Sequence, residues 1–173
     1  MTFRLLTHAL AATAVGLVFV LSLSIHARAQ DANRQPDDAG QIPPAVMDAL
    51  KARFPKAEIA KWTREKEGEI VLYDIEFRQD GIKFEADITD TGRIDNWEKQ
   101  IAATDLPEPV RRTAEQRYPN AEIREVMQVT QVKAGVDVLE GYEIVLQTPE
   151  KKEVEISVAA DGKVLEDSGK ATE

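Results

Sequence analysis

The chain has 173 residues, enough for one or two small domains, and it is acidic, with 22 Lys and Arg against 31 Asp and Glu. It contains no cysteine, which excludes disulfides, thiolate metal sites, cysteine nucleophiles and lipidation of an N-terminal cysteine. Its two histidines, His8 and His26, both precede residue 30.

The first 29 residues are predicted to be a cleavable signal peptide. Arg4 is the sole formal charge before Arg28, and the run between them is almost wholly apolar. This run ends in Ala27-Arg28-Ala29, the small-x-small pattern that signal peptidases cut, so cleavage is expected before Gln30. The alternative is a retained anchor, although the run is shorter than the ~20 apolar residues of a usual spanning helix.

Cleavage would leave a mature chain without histidine or cysteine and with 20 basic against 31 acidic side chains, a net charge of −11. Ser-His-Asp, Cys-His and His-ligated metal sites are then impossible. We therefore expect no enzyme activity, no catalytic residues, no metal and no cofactor. The acidity also disfavours nucleic acid and a membrane surface as partners.

Residues 30–41 are polar and predict a disordered linker, and the sequence repeats itself after them. The segment 53–59 (RFPKAEI) matches 117–123 (RYPNAEI) at an offset of 64. Further on, 73–75 (YDI) matches 142–144 (YEI) at 69, so the second copy carries about five extra residues around 132–140. The expected repeats are 42–103 and 104–168, and the expected disordered tail is 169–173.

Each copy predicts one helix and then an antiparallel sheet of three to four strands, an α+β fold. Val46, Leu50 and Phe54 recur at four-residue steps, and Pro55 ends the helix. Strict apolar-polar alternation follows in 71–78, 82–89, 142–146 and 154–158, with Gly at the turns. Because a unit of this size has a marginal core, the two copies are expected to pack together or share an edge.

These motifs resemble PepSY-type domains. The common elements are a helix closing in Phe/Tyr-Pro-x-Ala-Glu-Ile, a strand with Tyr-x-Ile, and a Thr/Asp-Gly-Lys/Arg-Ile/Val turn. Two such units behind a signal peptide resemble the PepSY-like, beta-lactamase-inhibitor-like exported proteins. The resemblance implies an extracytoplasmic location and a role in binding or inhibiting proteins such as peptidases, without catalytic residues. The known beta-lactamase inhibitors have disulfides in their repeats, so inhibition of a beta-lactamase is not expected here.

Trp62 and Trp97 are the candidate partner-binding residues. Trp62 lies on the opposite strand parity from Ile59 and is expected to point away from the helix, and Trp97 follows the last strand of the first copy. Exposed aromatic side chains on a polar sheet resemble binding hot spots. The alternative is that both rings cover the junction between the repeats.

Three functions remain open. The leading hypothesis is a binding module for another extracytoplasmic protein, with the sheet face as contact surface. The second is a sensor or carrier of a small ligand or cation that uses the acidic residues. The third is an unfamiliar enzyme with paired carboxylates, although Asp74, Glu76, Glu85 and Asp87 fit a solvated strand face better. The partner and the oligomeric state are not encoded in any motif.

Overall fold

In the computed structural model, which describes residues 41–169, the chain forms one antiparallel sheet with two α-helices on one side. The predicted signal peptide lies outside the described residues, as do nearly all of the predicted linker and tail. No helix within 41–169 is long and apolar enough to span a bilayer. The elements in chain order are α1 (Pro44–Arg53), β1 (Glu58–Glu67), β2 (Ile70–Gln79), β3 (Ile82–Thr89), β4 (Ile94–Gln100), a 3-10 turn (Ala103–Asp105), α2 (Glu108–Arg117), β5 (Glu122–Lys133), β6 (Val136–Gln147), β7 (Glu153–Ala159) and β8 (Val164–Asp167).

All eight strands belong to a single sheet in which each strand pairs with its neighbours in sequence. The α+β class and the antiparallel strands are confirmed. The strands that follow α1 join those that follow α2 at the β4–β5 ladder, where Trp97 lies opposite Thr130. Thr130 shares a side of β5 with Val126, which packs under α2, whereas Trp97 packs against the core under α1. This register puts both helices on the same side of the sheet.

The core under α1 is built from the predicted apolar stripe and two alternating strands. The helix begins at Pro44 and ends at Arg53, before Pro55, as predicted. Phe54 leaves the helix and places its ring centroid 4.8 Å from that of Phe77. The buried members of this core are Val46, Leu50, Phe54, Tyr73, Ile75, Phe77, Phe84, Ala86 and Ile88.

The core under α2 is similar but adds a buried charge. The carboxylate of Asp167 is fully buried and accepts hydrogen bonds from the Tyr118 hydroxyl, from Arg117 Nε at 2.5 Å and from the Gly169 amide at 3.0 Å. Burial alone would raise the pKa of Asp167, but the bonds from Tyr118 and Arg117 hold it below its usual value. The buried apolar members are Leu106, Val110, Ala114, Val126, Tyr142, Ile144, Leu146, Val154, Ile156 and Val158.

Each helix start lies against a glycine turn. Gly92 and Gly162 have φ angles of 85° and 92° and close the β3–β4 and β7–β8 hairpins. A Cβ on Gly92 would lie 2.7 Å from the carbonyl oxygen of Ala45, and one on Gly162 would lie 3.0 Å from that of Pro109. The turns therefore need glycine both for the positive φ and for the approach of the helix.

We predict that Gly92→Ala destabilises the fold more than Gly81→Ala does. Gly81 has nearly the same φ, 82°, but has no atom within 4 Å of its added Cβ. The control should lose about 1 kcal/mol for the left-handed backbone, and Gly92→Ala about 1–3 kcal/mol more for the contact. Urea denaturation of both variants measures the difference, and equal losses would show that the close approach is not a constraint.

Candidate functional site

Within residues 41–169 no element covers the side of the sheet opposite the two helices, which we call the open face. The strand carboxylates predicted to occupy a polar face lie there, because they alternate with the core residues of β2 and β3. They are half-buried rather than fully solvated. These residues are Asp74, Glu76, Glu85 and Asp87.

The centre of the open face has an apolar floor. Met127 and Val129 of β5 point away from the helices, yet they are only 5% and 4% exposed. In the register, Val129 lies opposite Glu98 of β4, and Met127 lies opposite Glu143 of β6. We infer that side chains of the flanking strands close over this floor and are themselves partly withdrawn from water.

Around this floor lies a cluster of carboxylates that we call the acidic cluster: Glu85, Asp87, Glu98, Glu143 and Glu155. Burial, and then the charges of Glu143 and Glu85, raises the pKa of Glu98 well above its usual value. Burial and the charges of Glu155 and Glu85 raise the pKa of Glu143 to about 8. Burial and the neighbouring carboxylates therefore both oppose the ionisation of Glu98 and Glu143.

Two lysines pair with carboxylates of the open face. The Lys83 ammonium lies 2.7 Å from Glu85 and 3.1 Å from Glu125, and Lys61 pairs with Glu76 at 3.0 Å. Burial would lower the pKa of Lys83, but its bonds to Glu85 and Glu125 raise it. The charges that raise the pKa values of Glu98 and Glu143 all belong to carboxylates, so acidic side chains predominate at the centre of the open face.

The carboxylates are spread over several strands. Among the described residues, no three of the Asp and Glu side chains are arranged to hold a metal ion. A surface cavity of about 300 Å³ lies elsewhere, near the C-terminal end of α2, and its lining contains none of the acidic cluster. The open face is therefore a broad polar surface rather than a pocket.

The expected direction of Trp62 is wrong. The ladder shifts register between Ile59 and Lys61, so Trp62 lies opposite Ile75 and on the helix side of the sheet. Its ring centroid is 6.0 Å from that of Tyr73, and the side chain packs half-buried against the core under α1. It lies on the edge strand β1, far from the junction between the halves.

Trp97 was expected to follow the last strand of the first copy, but it lies within that strand, β4. It is therefore beside the β4–β5 ladder that joins the two halves. Its ring is edge-on to Phe54, with 5.9 Å between centroids, and the Arg53 guanidinium lies 5.1 Å from its centroid. The indole N–H is buried and finds no acceptor among the described residues. The two tryptophans are not brought together, and their role as partner contacts stays a prediction.

Sequence reasoning missed Glu98 and Glu143 because alternation assigns polar strand residues to solvent. One pattern could have shown them. In β5, Val126, Met127 and Val129 break the alternation, which predicts apolar residues on both sides of the strand. Carboxylates on the neighbouring strands then lie over an apolar surface.

Comparison with known proteins identifies relatives of the fold. A family model described as "Putative beta-lactamase-inhibitor-like, PepSY-like" matches residues 32–96 and 72–166. No curated protein matches the sequence.

Among solved structures, a BLIP-like protein from Bacteroides fragilis is 21% identical, with 79% of this chain and 95% of that chain covered and a TM-score of 0.53. A protein from Bacteroides eggerthii, titled among "putative periplasmic proteins", is 18% identical, with 74% and 88% covered and a TM-score of 0.58. At these identities the likeness extends to the fold alone.

We predict that Glu143→Gln stabilises the protein at alkaline pH and not at pH 5. The unfolded carboxyl loses its proton near pH 4.5 and the folded one near 8, so folding stability falls as pH rises through that window. Glutamine has no carboxyl to ionise, so Glu143→Gln should raise the free energy of unfolding by about 1–2 kcal/mol at pH 9, after allowance for partial exposure. Urea midpoints from pH 5 to 9 measure it, with the exposed Glu115→Gln as control. A gain that does not change with pH would contradict the raised pKa.

Proposed function

Since the chain belongs to the PepSY-like, beta-lactamase-inhibitor-like family, we propose that it is an exported, non-catalytic module that binds another protein outside the cytoplasm. One observation carries this proposal: a sheet eight strands wide leaves a whole face uncovered. The half-buried acidic cluster of that face lies over the apolar floor and supplies polar and charged groups that a partner can contact. The family model covers most of the chain, and one solved relative with this fold is titled as periplasmic.

The charge of the open face defines the kind of partner. Burial and the charges of neighbouring carboxylates raise the pKa values of Glu98 and Glu143. A basic protein surface would place positive charge opposite these carboxylates, and its Lys and Arg side chains can reach carboxylates on several strands at once. We propose a basic extracytoplasmic protein, such as a peptidase with a cationic surface, rather than nucleic acid or a membrane.

The arrangement of the chain is part of this proposal. We infer two tandem units of one helix and four strands, at 42–103 and 104–168, behind a signal peptide at 1–29 that is cleaved before Gln30. The separate cores under α1 and α2, and the glycine turn against each helix start, support the division. Their common sheet would present one contact surface instead of two.

A second candidate function is the binding of a small ligand or cation by the acidic cluster. The position of Glu98 and Glu143 beside the apolar floor favours it, because burial and neighbouring carboxylates raise the pKa values of both. The spread of the carboxylates over β3 to β7 fits an extended cationic surface better than a single ion. Inhibition of a beta-lactamase and catalysis are not proposed.

We predict that residues 30–173, used as bait in an extracytoplasmic extract, retain a basic protein whose capture weakens with salt. Glu85→Lys, within the acidic cluster, should weaken binding at least about tenfold, because it places a cation at the contact. Glu115→Lys changes the net charge equally but lies exposed on α2, and it should bind like the wild type. Affinities with the captured protein are measured by calorimetry at several salt concentrations.

Equal affinity of the two reversal variants would contradict the open face as the contact surface. If nothing is captured, and calcium or a small-molecule panel raises the melting temperature, the second candidate replaces the first. Alanine at Trp62 or Trp97 is unsuitable as a probe because both side chains pack on the core. Phenylalanine at either position retains most of the packing and tests the proposed tryptophan contact.

A further inference from the structure

The β5–β6 hairpin carries exposed apolar side chains beyond the centre of the sheet. Val136 is 63% exposed and Val138 is 39% exposed on the side of the open face, and Leu139 is 43% exposed on the side of the helices. The insertion that distinguishes the second repeat lies here, and the hairpin between β1 and β2 carries mostly charged residues at its end. Exposed apolar residues grouped at one site indicate a contact surface.

This hairpin is held in position. Asp137 pairs with Arg53 of α1, whose guanidinium also lies over the Trp97 ring, 5.1 Å from its centroid. Across the hairpin, Gln131 Nε2 donates to Glu140 Oε1 at 2.7 Å. Contacts on both sides therefore fix the hairpin before any partner arrives, which lowers the entropic cost of binding.

The register places Val136 and Val138 at the margin of the open face. Val138 lies opposite Gln131, and the same row continues through Asn96 to Asp87 of the acidic cluster. Three strand spacings separate Val138 from Asp87, about 14 Å in an extended sheet. A partner seated on the carboxylates is within reach of Val136 and Val138.

We propose that the β5–β6 hairpin is the apolar anchor of the open face, and that it binds a basic protein surface with an apolar side chain at its margin. This rests on the proposed function and adds the position and chemistry of a second contact. Complementary charge selects the partner, because the same face that presents the valines carries excess carboxylate. A second copy of this acidic chain would bring like charges together.

The test uses 15N-labelled residues 30–173 and two synthetic arginine-rich peptides that differ at one position, leucine in one and serine in the other. Both peptides should shift amide resonances of β3 and β4, and the leucine peptide alone should shift those of Val136 and Val138. We expect the leucine peptide to bind about fivefold tighter, since part of one leucine side chain is buried. Val136→Thr with Val138→Thr should abolish this gain without changing the salt dependence.

Ile82→Thr is the matched control, because Ile82 is 38% exposed on the other side of the sheet and its replacement should preserve the leucine gain. Equal affinity of the two peptides, with shifts on β3 and β4, would overturn the hairpin assignment and leave the proposed function standing. If neither peptide binds, both proposals fail. Self-association that the valine variants abolish would overturn the basic partner in favour of a second copy.

Discussion

The pairing of β4 with β5 is the constraint on which the rest of the structure depends. It joins two helix-bearing halves into one ladder, with Trp97 opposite Thr130 and Gln100 opposite Met127. A shift of one residue would turn the apolar side of the C-terminal half, together with α2, to the side of the sheet opposite α1. In the observed register both helices lie on one side, and the other side is continuous over eight strands. The open face exists because of this register.

The arginine at the end of each helix contacts a different kind of side chain in the two halves. Arg53 and Arg117 occupy equivalent positions at the helix ends. Arg117 pairs with the buried Asp167, whereas at the matching position Trp97 lies under the guanidinium of Arg53. The aromatic partner leaves Arg53 free to pair with Asp137 in the other half. The exchange therefore converts a contact within one half into a contact between halves.

Much of the fold could be predicted because local rules agree with the tertiary structure. The four-residue spacing of Val46 and Leu50 predicted α1, and alternation predicted β2, β3, β6 and β7. The side of the sheet on which Trp62 lies was predicted wrongly, because a register shift between Ile59 and Lys61 reverses which β1 residues face the helices. No residue type in the sequence indicates this shift. The burial of Glu98 and Glu143 escaped prediction because alternation within β4 and β6 assigns both to solvent, and the only sign of their apolar neighbours is the broken alternation of β5.

The sheet also has a consequence for how such a chain folds. Every ladder joins strands that are consecutive in sequence, and the longest connection, between β4 and β5, contains its own helix. Low contact order of this kind favours rapid folding. When the chain emerges N-terminus first, α1 and β1–β4 can form before the rest. Strand β4 is then a temporary edge of the sheet until β5 pairs with it. Asp95, Glu98 and Lys99 give that edge the charges that keep unfinished sheets from joining each other.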